Sequence, residues 1–165
     1  MNAEEFTAYV EQAIPDFAQE KVDAGQWSKE ASLALARQGF NELLPEGLAT
    51  PENCLFTLRE ASGRATVGVL WFAVQERAGQ RIAYVYDILV EPQHQRKGYG
   101  KSTFEALESE VASRGLCGIA LHVFGHNKAA QALYAKLGYQ PTNINMFKKV
   151  PNADTLYLPS EPSER

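Results

Sequence analysis

The spacing of apolar residues predicts two helices in the first part of the chain. Over residues 3–24, apolar side chains recur at steps of three and four positions, which is the period of one helix face. Pro15 lies inside this pattern and lacks the N–H that a helix interior uses, so we expect a kink or the start of a second helical piece. A second helical pattern runs from Ser28, a good N-cap residue, to Leu44, where Pro45 follows.

The middle of the chain changes to a strand pattern. Residues 54–59, 67–74 and 82–90 are rich in β-branched and aromatic side chains. The short connection at Ser62 and Gly63 separates the first two runs, and residues 78–80 separate the last two. Short connections of this kind are typical of antiparallel hairpins, so the three runs predict consecutive antiparallel strands.

Helices and a strand alternate after residue 100. The pattern predicts a helix over residues 101–113, a strand over 119–123 and a helix over 128–137. Gly115 and Gly138 follow the two helices, where glycine commonly ends a helix. A strand, a helix and a second strand in this order require a parallel strand pair.

The elements together predict a mixed α/β (α+β) fold. Its central sheet is mostly antiparallel, contains one parallel pair and is flanked by helices. Tyr139 and residues 146–150 are expected to add final strands. We expect a single domain over residues 1–158 and a flexible polar tail over residues 159–165.

Composition and charge exclude several classes of partner. With 45% hydrophobic and 22% charged residues, the 165-residue chain has the composition of a globular domain. Its net charge of −4 makes general binding to nucleic acid or to an anionic membrane unfavourable. No basic, apolar leader pattern opens the chain and no apolar run is long enough to span a bilayer, so we expect a soluble, cytoplasmic protein.

Cysteine and histidine spacing predicts no metal site. Cys54 and Cys117 are far apart in sequence and are expected to be reduced core thiols. The histidines do not share a spacing typical of metal ligands; they are His94, His122 and His126.

The segment QRKGYGKS at residues 95–102 is the strongest candidate for a ligand site. It lies between a predicted strand and a predicted helix, where the first amides of the helix are available to an anion. Glycine at positions 98 and 100 lets the main chain approach a phosphate, and basic side chains surround it. The end of the segment resembles a Walker A loop, but Gln95 stands where that motif needs its first glycine.

The pattern Q-x-x-G-x-G resembles instead the coenzyme A pyrophosphate loop of the GNAT family, the acetyl-CoA-dependent N-acetyltransferases. Residues 86–92, YDILVEP, resemble the family's strand that leads into this loop. Residues 121–139, LHVFGHNKAAQALYAKLGY, resemble its next strand, its loop asparagine and its N-x-x-A-x-x-x-Y-x-x-x-G-[FY] helix. The similarity extends from Trp27 to about Val150.

The resemblance implies acetyl-CoA as cosubstrate and implies where it binds. In this fold two neighbouring parallel strands splay apart, and the pantetheine arm bonds to the main chain of the first strand, here at Leu89 and Val90. Asn127, Ala130 and Tyr134 would line the other side of the arm. The residues expected to hold the pyrophosphate are Gln95, Arg96, Lys97, Gly98, Tyr99, Gly100 and Lys101.

The resemblance also implies a catalytic tyrosine and leaves the base open. Tyr134 stands where the family's tyrosine donates a proton to the departing thiolate. His122 in the second splayed strand and Asp87 in the first are candidates for the base that accepts the amine's proton. Tyr84 stands where other members place a glutamate, so a chain of water molecules is a further alternative.

We therefore expect an enzyme that moves an acetyl group from acetyl-CoA to a primary amine by direct attack in a ternary complex. The amine belongs to a small molecule or a peptide, and the net acidity of the chain favours a cationic one. A non-catalytic acyl-CoA-binding module is the alternative, and a nucleotide-triphosphate binder is a third hypothesis. A homodimer is expected only because dimers are the commonest soluble oligomers.

Overall fold

Helices and strands follow each other largely in the order that the sequence predicts. The structure is a computed structural model, and it describes residues 1–63, 65–146 and 148. The helices of this part are α1 Ala3–Asp23, α2 Lys29–Leu43, α3 Tyr99–Ser113 and α4 Lys128–Lys136. Its strands are β1 Asn53–Arg59, β2 Thr66–Arg77, β3 Gln80–Val90 and β4 Ile119–Leu121. No helix among the described residues is long and apolar enough to cross a membrane.

The two N-terminal helices agree with the apolar spacing. Ser28 Oγ accepts the Ala31 N–H at 3.4 Å, so the predicted N-cap of α2 is confirmed. Pro15 lies inside α1, which continues through it, and the alternative of two helical pieces is wrong. Proline removes one donor from the ladder, and the other bonds of this 21-residue helix keep it continuous.

The strands form one mixed sheet in the order β1-β2-β3-β4. β1 pairs with β2 and β2 with β3 in antiparallel fashion, whereas β3 and β4 are parallel, which confirms the predicted fold class. The parallel pairing runs only from Ala83 to Val85 on β3. Beyond Val85, β3 continues beside β2 as far as Val90. The last part of β3 therefore leaves β4.

Several predicted boundaries and two predicted strand positions differ from the structure. α3 begins at Tyr99, two residues before the predicted start. The strand predicted to reach residue 123 ends at Leu121, because β3 and β4 separate there and His122 is no longer part of the ladder. Tyr139 lies in no strand, since its N–H closes the end of α4 by bonding to Tyr134 O at 3.0 Å. Met146 also lies in no strand, and the rest of residues 146–150, Lys148 excepted, lies outside the described residues.

The chain divides into two compact units. The first comprises residues 1–9 and 44–123, and it holds the sheet, α3 and the start of α1. The second comprises residues 10–43 and those from 124 onward, and it holds the rest of α1, α2 and α4. A single domain through residue 158 stays a prediction, and residues 159–165 lie outside the described part.

Helical segments cover both faces of the sheet in the first unit. Arg114, which follows α3, lies over the ring of Phe72. Glu5 of α1 accepts a hydrogen bond from Thr57, whose register places it on the face of Trp71, opposite Phe72. The start of α1 therefore lies on one face of the sheet, and α3 lies on the opposite face.

The most deeply buried side chains of α3 fix this helix on the sheet. Phe104 is 0% and Leu107 2% exposed, and α3 contacts β3. Burying a side chain of this size contributes about 1.5–3 kcal/mol. The loop that precedes α3 is thus attached to a firmly packed helix.

Candidate functional site

The loop between β3 and α3 presents its amides like an anion cradle. After a short 3-10 turn at Pro92–His94, Arg96 has φ 62° and Gly98 has φ 90°. Left-handed residues spaced in this way turn successive N–H groups toward one side, and such concave arrangements bind anions. The first helical bond of α3 joins Ser102 N–H to Gly98 O at 3.0 Å, so the amides of residues 99–101 precede the helical ladder.

Arg96 is one of three non-glycine residues with positive φ in the described part of the chain, with Glu52 and Ala78. A non-glycine residue in the left-handed region costs about 1–3 kcal/mol, and such residues cluster at functional sites. The side chains of Arg96 and Lys97 are exposed beside the amides, and Lys101 pairs with Glu105 at 3.0 Å on the surface of α3. The main-chain shape and the charge both suit a diphosphate.

Gln95 holds the loop against the end of the strand. Its Nε2 donates to Val90 O at 3.0 Å, although the sequence predicted it as a ligand contact. The contact fixes the distance between the strand end and the amide cradle. A binding role for Gln95 stays a prediction.

A second tether joins this loop to the connection between β1 and β2. The Tyr99 hydroxyl donates to Glu60 Oε1 at 3.2 Å, and His94 Nδ1 lies 3.8 Å from the same oxygen. The rings of His94 and Tyr99 meet edge to face at 5.9 Å. Burial and the Glu60 carboxylate raise the pKa of Tyr99, so its hydroxyl remains a donor. The sequence analysis missed Glu60, because nothing local relates it to a residue 39 positions away.

The outer edge of β3 is open where the arm of a coenzyme would pair. Residues 86–90 pair with β2 on one side, and no described strand pairs with them on the other. An extended ligand can bond to such an edge as an added strand does. Leu89 and Val90 lie on this segment, directly before the loop, as the sequence predicts.

A β-bulge at Tyr86 sets the direction of Asp87. Trp71 pairs with Asp87 and Phe72 with Val85, so Tyr86 is an extra residue on β3. The ring of Tyr86 stacks on Trp71 with centroids 4.7 Å apart. Because side chains in register share a face, the bulge places Asp87 on the face of Trp71. No local pattern in the sequence indicates this bulge.

Asp87 and His122 differ in their surroundings. The hydroxyl of Tyr9, on α1, donates to Asp87 Oδ2 at 2.8 Å, and Asp87 is half-buried. His122 is exposed and follows β4, so its predicted place inside a strand is wrong. The separation of β3 and β4 frees this residue from the ladder.

The second unit holds the remaining predicted residues on α4. Asn127 is the N-cap of α4, and its Oδ1 accepts the Ala130 N–H at 3.1 Å. Ala130 and Tyr134 follow at three and seven positions, which places them on the same helix face as Asn127. Tyr134 is half-buried, and its ring lies 5.7 Å from that of Tyr139.

An aromatic cluster surrounds Lys21 in the same unit. Its Nζ lies 5.3–5.5 Å from the centroids of Phe17, Trp27 and Phe124, a cation–π arrangement. The same ammonium donates to Gln26 Oε1 at 2.7 Å. Burial lowers the pKa of Lys21. Sequence pattern did not single out Lys21, although its four-residue spacing from Phe17 on α1 was an available signal.

Cysteine and metal chemistry find no support in the described residues. Cys54 is half-buried and Cys117 is exposed, so the prediction of core thiols is wrong. Arg114 donates to Cys54 Sγ at 3.2 Å, and Cys117 lies in the short segment between α3 and β4. Within the described part of the chain, no group of three or more His, Cys, Asp or Glu residues is arranged to hold a metal ion.

Comparisons with known proteins agree with these observations. The Acetyltransferase (GNAT) family matches residues 11–139. YycN of Bacillus subtilis, named an uncharacterized N-acetyltransferase, is 37% identical over 150 residues, which cover 91% of this chain and 96% of YycN. YdgE of the same organism, named likewise, is 27% identical over 150 residues, covering 91% and 95% of the two chains. A crystal structure of YycN superposes with a TM-score of 0.86 over 91% of this chain and 95% of its own.

Proposed function

Because this chain belongs to the Acetyltransferase (GNAT) family, we propose that it transfers an acetyl group from acetyl-CoA to a primary amine by direct attack in a ternary complex. The observation that carries the proposal is the amide cradle at residues 96–101, which directly follows the open edge of β3. The strand edge suits the amide-containing arm of the cosubstrate. The amide cradle, which follows it along the chain, suits the diphosphate.

The residues present fit acetyl-CoA. The left-handed backbone at Arg96 and Gly98 supplies converging N–H donors, and helix α3 adds its N-terminal dipole. Main-chain binding roles are proposed for Leu89 and Val90, of which Leu89 O faces Gly68 of β2 and Val90 O accepts the Gln95 amide in the described structure. Lys97 offers charge to the phosphates. Further binding roles are proposed for Gln95, Tyr99, Gly100, Lys101, Asn127, Ala130 and Tyr134.

The chemistry requires a proton to leave the amine and a proton to reach the sulfur. When bound, acetyl-CoA supplies an activated thioester carbonyl that an amine lone pair attacks. Tyr134 is proposed to donate a proton to the departing sulfur, since a phenol is a competent donor to a thiolate. Asp87 and His122 are the two groups proposed as the base that accepts the proton of the amine, directly or through water.

The acceptor is proposed to be cationic in its resting state. A primary amine is mostly protonated near neutral pH, and Asp87 provides a carboxylate on the sheet face beside the open edge. The chain carries a net charge of −4, which attracts cations over a distance. Both observations favour polyamines, basic amino acids or peptide amines over anionic acceptors.

Two measurements test the proposal in order. Acetyl-CoA should raise the unfolding temperature of the purified protein, because a ligand at a hundredfold excess over its Kd stabilises the native state by about 2.7 kcal/mol. Thiol release should then appear with some member of a panel of alkylamines, polyamines, amino acids and peptides with free N-termini. Protection without release for every amine would favour the acyl-CoA-binding module. Magnesium-dependent protection by ATP that exceeds protection by acetyl-CoA would support the nucleotide-triphosphate binder.

Tyr134→Phe tests the proposed proton donor. The substitution removes the hydroxyl and keeps the ring, so we expect turnover to fall about a hundredfold while acetyl-CoA affinity changes less than threefold. Steady-state kinetics and calorimetric titration measure the two quantities. Tyr139→Phe, the neighbouring ring on the same unit, serves as the control for general disturbance. Full turnover in Tyr134→Phe would remove Tyr134 from the chemistry.

A further inference from the structure

A buried tyrosine on α1 is hydrogen-bonded to a carboxylate at the bulge of β3. Tyr9 is 6% exposed, and its hydroxyl lies 2.8 Å from Asp87 Oδ2 across 78 positions of the sequence. Both residues belong to the first unit. The contact is the point where α1 reaches the strand segment that has left β4.

The direction of this hydrogen bond is fixed by the chemistry of the pair. Burial first, and then the charge of Asp87, raise the pKa of Tyr9 far above its ordinary value. The phenol therefore keeps its proton at any working pH and acts as the donor. Asp87 is the acceptor, and a hydrogen bond to a charged group is stronger than one between neutral groups.

The bulge at Tyr86 turns the Asp87 side chain to the face of the sheet where Tyr9 of α1 lies. Strand residues alternate between faces, so in a regular strand Asp87 would share the face of Val85, opposite that of Tyr84. That face is covered by α3, whose buried side chains are apolar except for Thr103. A carboxylate there would be buried without water, which is strongly unfavourable. The extra residue turns Asp87 to the face on which Tyr9 lies.

Packing alone does not require this pair. A phenylalanine fills nearly the same volume as Tyr9, and an apolar residue in place of Asp87 would avoid the cost of a half-buried charge. The chain instead bends a strand to present a carboxylate beside the open edge and holds that carboxylate with a buried hydroxyl. Oriented charge of this kind suits the recognition of an ammonium group.

We infer that Tyr9 is a positioning residue, whose hydroxyl fixes the Asp87 carboxylate so that Asp87 pairs with the ammonium group of the acceptor amine. This inference rests on the proposed function and names the group that selects its substrate. The aromatic ring of Tyr9 packs α1 on the sheet, while its hydroxyl orients the Asp87 carboxylate by donating a hydrogen bond to it. The acceptor class that follows is a primary amine that arrives as a cation.

Kinetics of Tyr9→Phe, Asp87→Asn and the double variant test the inference with the best acceptor of the amine panel. We expect Tyr9→Phe to raise KM for the amine about tenfold, Asp87→Asn to raise it at least as much, and the double variant to resemble Asp87→Asn. KM for acetyl-CoA should stay within twofold in all three. The non-additivity distinguishes a positioning role from two separate structural effects.

Thr57→Val is the matched control. It removes another hydroxyl-to-carboxylate bond between the same helix and the same sheet face, the 2.8 Å contact to Glu5. We expect it to lower the unfolding temperature about as much as Tyr9→Phe does and to leave KM for the amine unchanged. An equal effect of both variants on that KM, or additive effects of Tyr9→Phe and Asp87→Asn, would overturn the inference while the proposed function stands. Absence of acetyl transfer by the unaltered protein would overturn both.

Discussion

Gly68 of β2 lies tightly against the backbone of β3. A Cβ added at this position would lie 1.9 Å from Leu89 O and 3.1 Å from Val90 Cα. Backbone atoms of a central strand cannot move aside as a flexible side chain can. The shape of the open edge of β3, where the coenzyme arm is proposed to bind, therefore depends on the absence of a single methyl group on the strand beside it.

Gly68→Ala is predicted to destabilise the protein and to weaken its binding of acetyl-CoA. Forcing a methyl group into this space should cost about 1–3 kcal/mol, because Leu89 must shift. Urea unfolding measures the loss, and calorimetry measures the affinity. Gly118→Ala is the control, since a Cβ there meets nothing within 4 Å. If both variants unfolded at the same urea concentration, the close approach at Leu89 would be unimportant.

Helix α4 begins at a residue with two assigned roles. Asn127 Oδ1 caps the helix by accepting the Ala130 N–H, and the same asparagine is proposed to line the coenzyme arm. A cap of this kind satisfies a helix N–H that has no partner in the ladder. Substitutions that keep the cap and change the side chain can separate the two roles.

Asn127→Ala is predicted to lower the free energy of unfolding by about 1 kcal/mol. Asn127→Ser is predicted to keep most of this capping contribution, because serine also caps helices. Both should raise KM for acetyl-CoA if the amide itself contacts the arm. Chemical denaturation and steady-state kinetics measure these effects. An unchanged KM in both variants would restrict Asn127 to its capping role.

Local signals explain why most elements could be predicted. Ser28 marks the start of α2, and Asn127 and Gly138 mark the two ends of α4, because capping and left-handed backbone depend on neighbouring residues. The loop at residues 95–102 could be singled out as a candidate ligand site for the same reason, since its glycines and basic residues are adjacent in sequence. The wrong end of β4 has a different origin. His122 has a strand-like neighbourhood, and only the departure of β3 ends the pairing at Leu121.

The site residues that the sequence missed are held by long-range contacts. Tyr9 reaches Asp87 across 78 positions, and Glu60 reaches Tyr99 across 39. A hydrophobic pattern assigns such residues to a face and does not identify their partners. The bulge at Tyr86 could not be predicted either, because it depends on how β2 and β3 pair and not on the residues next to Tyr86 in sequence.

At the scale of the whole molecule, the carboxylate of Glu5 links the start of the chain to strand β1 and contributes to stability. Glu5 of α1 accepts the Asn2 N–H and the Thr57 hydroxyl, each at 2.8 Å, and pairs with Arg59. These contacts, the Asn2 amide first, lower the pKa of Glu5 below its ordinary value of 4.5. A carboxylate with a lowered pKa stabilises the fold above its unfolded pKa, and this contribution is lost as pH falls through the folded pKa.

Glu5→Gln is therefore predicted to reduce stability at neutral pH and to reduce it less in acid. The gap in unfolding free energy between the two proteins should be constant above the ordinary pKa of 4.5 and should narrow as the pH falls below it. Urea unfolding at a series of pH values measures the gap. The control is Glu4→Gln, because Glu4 is exposed and lies next to Glu5 in the same turn of α1. A gap that did not change with pH would contradict the assigned charge.

Charge is distributed unevenly over the molecule, and this governs how acetyl-CoA binding should respond to salt. The chain carries a net charge of −4, yet Arg96 and Lys97 expose positive charge beside the amide cradle. Main-chain donors act at short range and are little affected by salt, whereas exposed charges are screened over about 10 Å at 0.1 M ionic strength. The two contributions can therefore be separated by ionic strength.

We predict that acetyl-CoA affinity falls about fivefold as ionic strength rises from about 0.05 to 0.3 M. The double variant Arg96→Gln, Lys97→Gln should bind more weakly at low salt and should lose most of this dependence, because the amides remain. Arg81→Gln is the control, since Arg81 is exposed at the opposite end of β3 and pairs with Glu52. Calorimetric titration at several salt concentrations measures the slopes. If the double variant kept the slope of the unaltered protein, the exposed charges would have no part in binding, and the cradle would act through its amides alone.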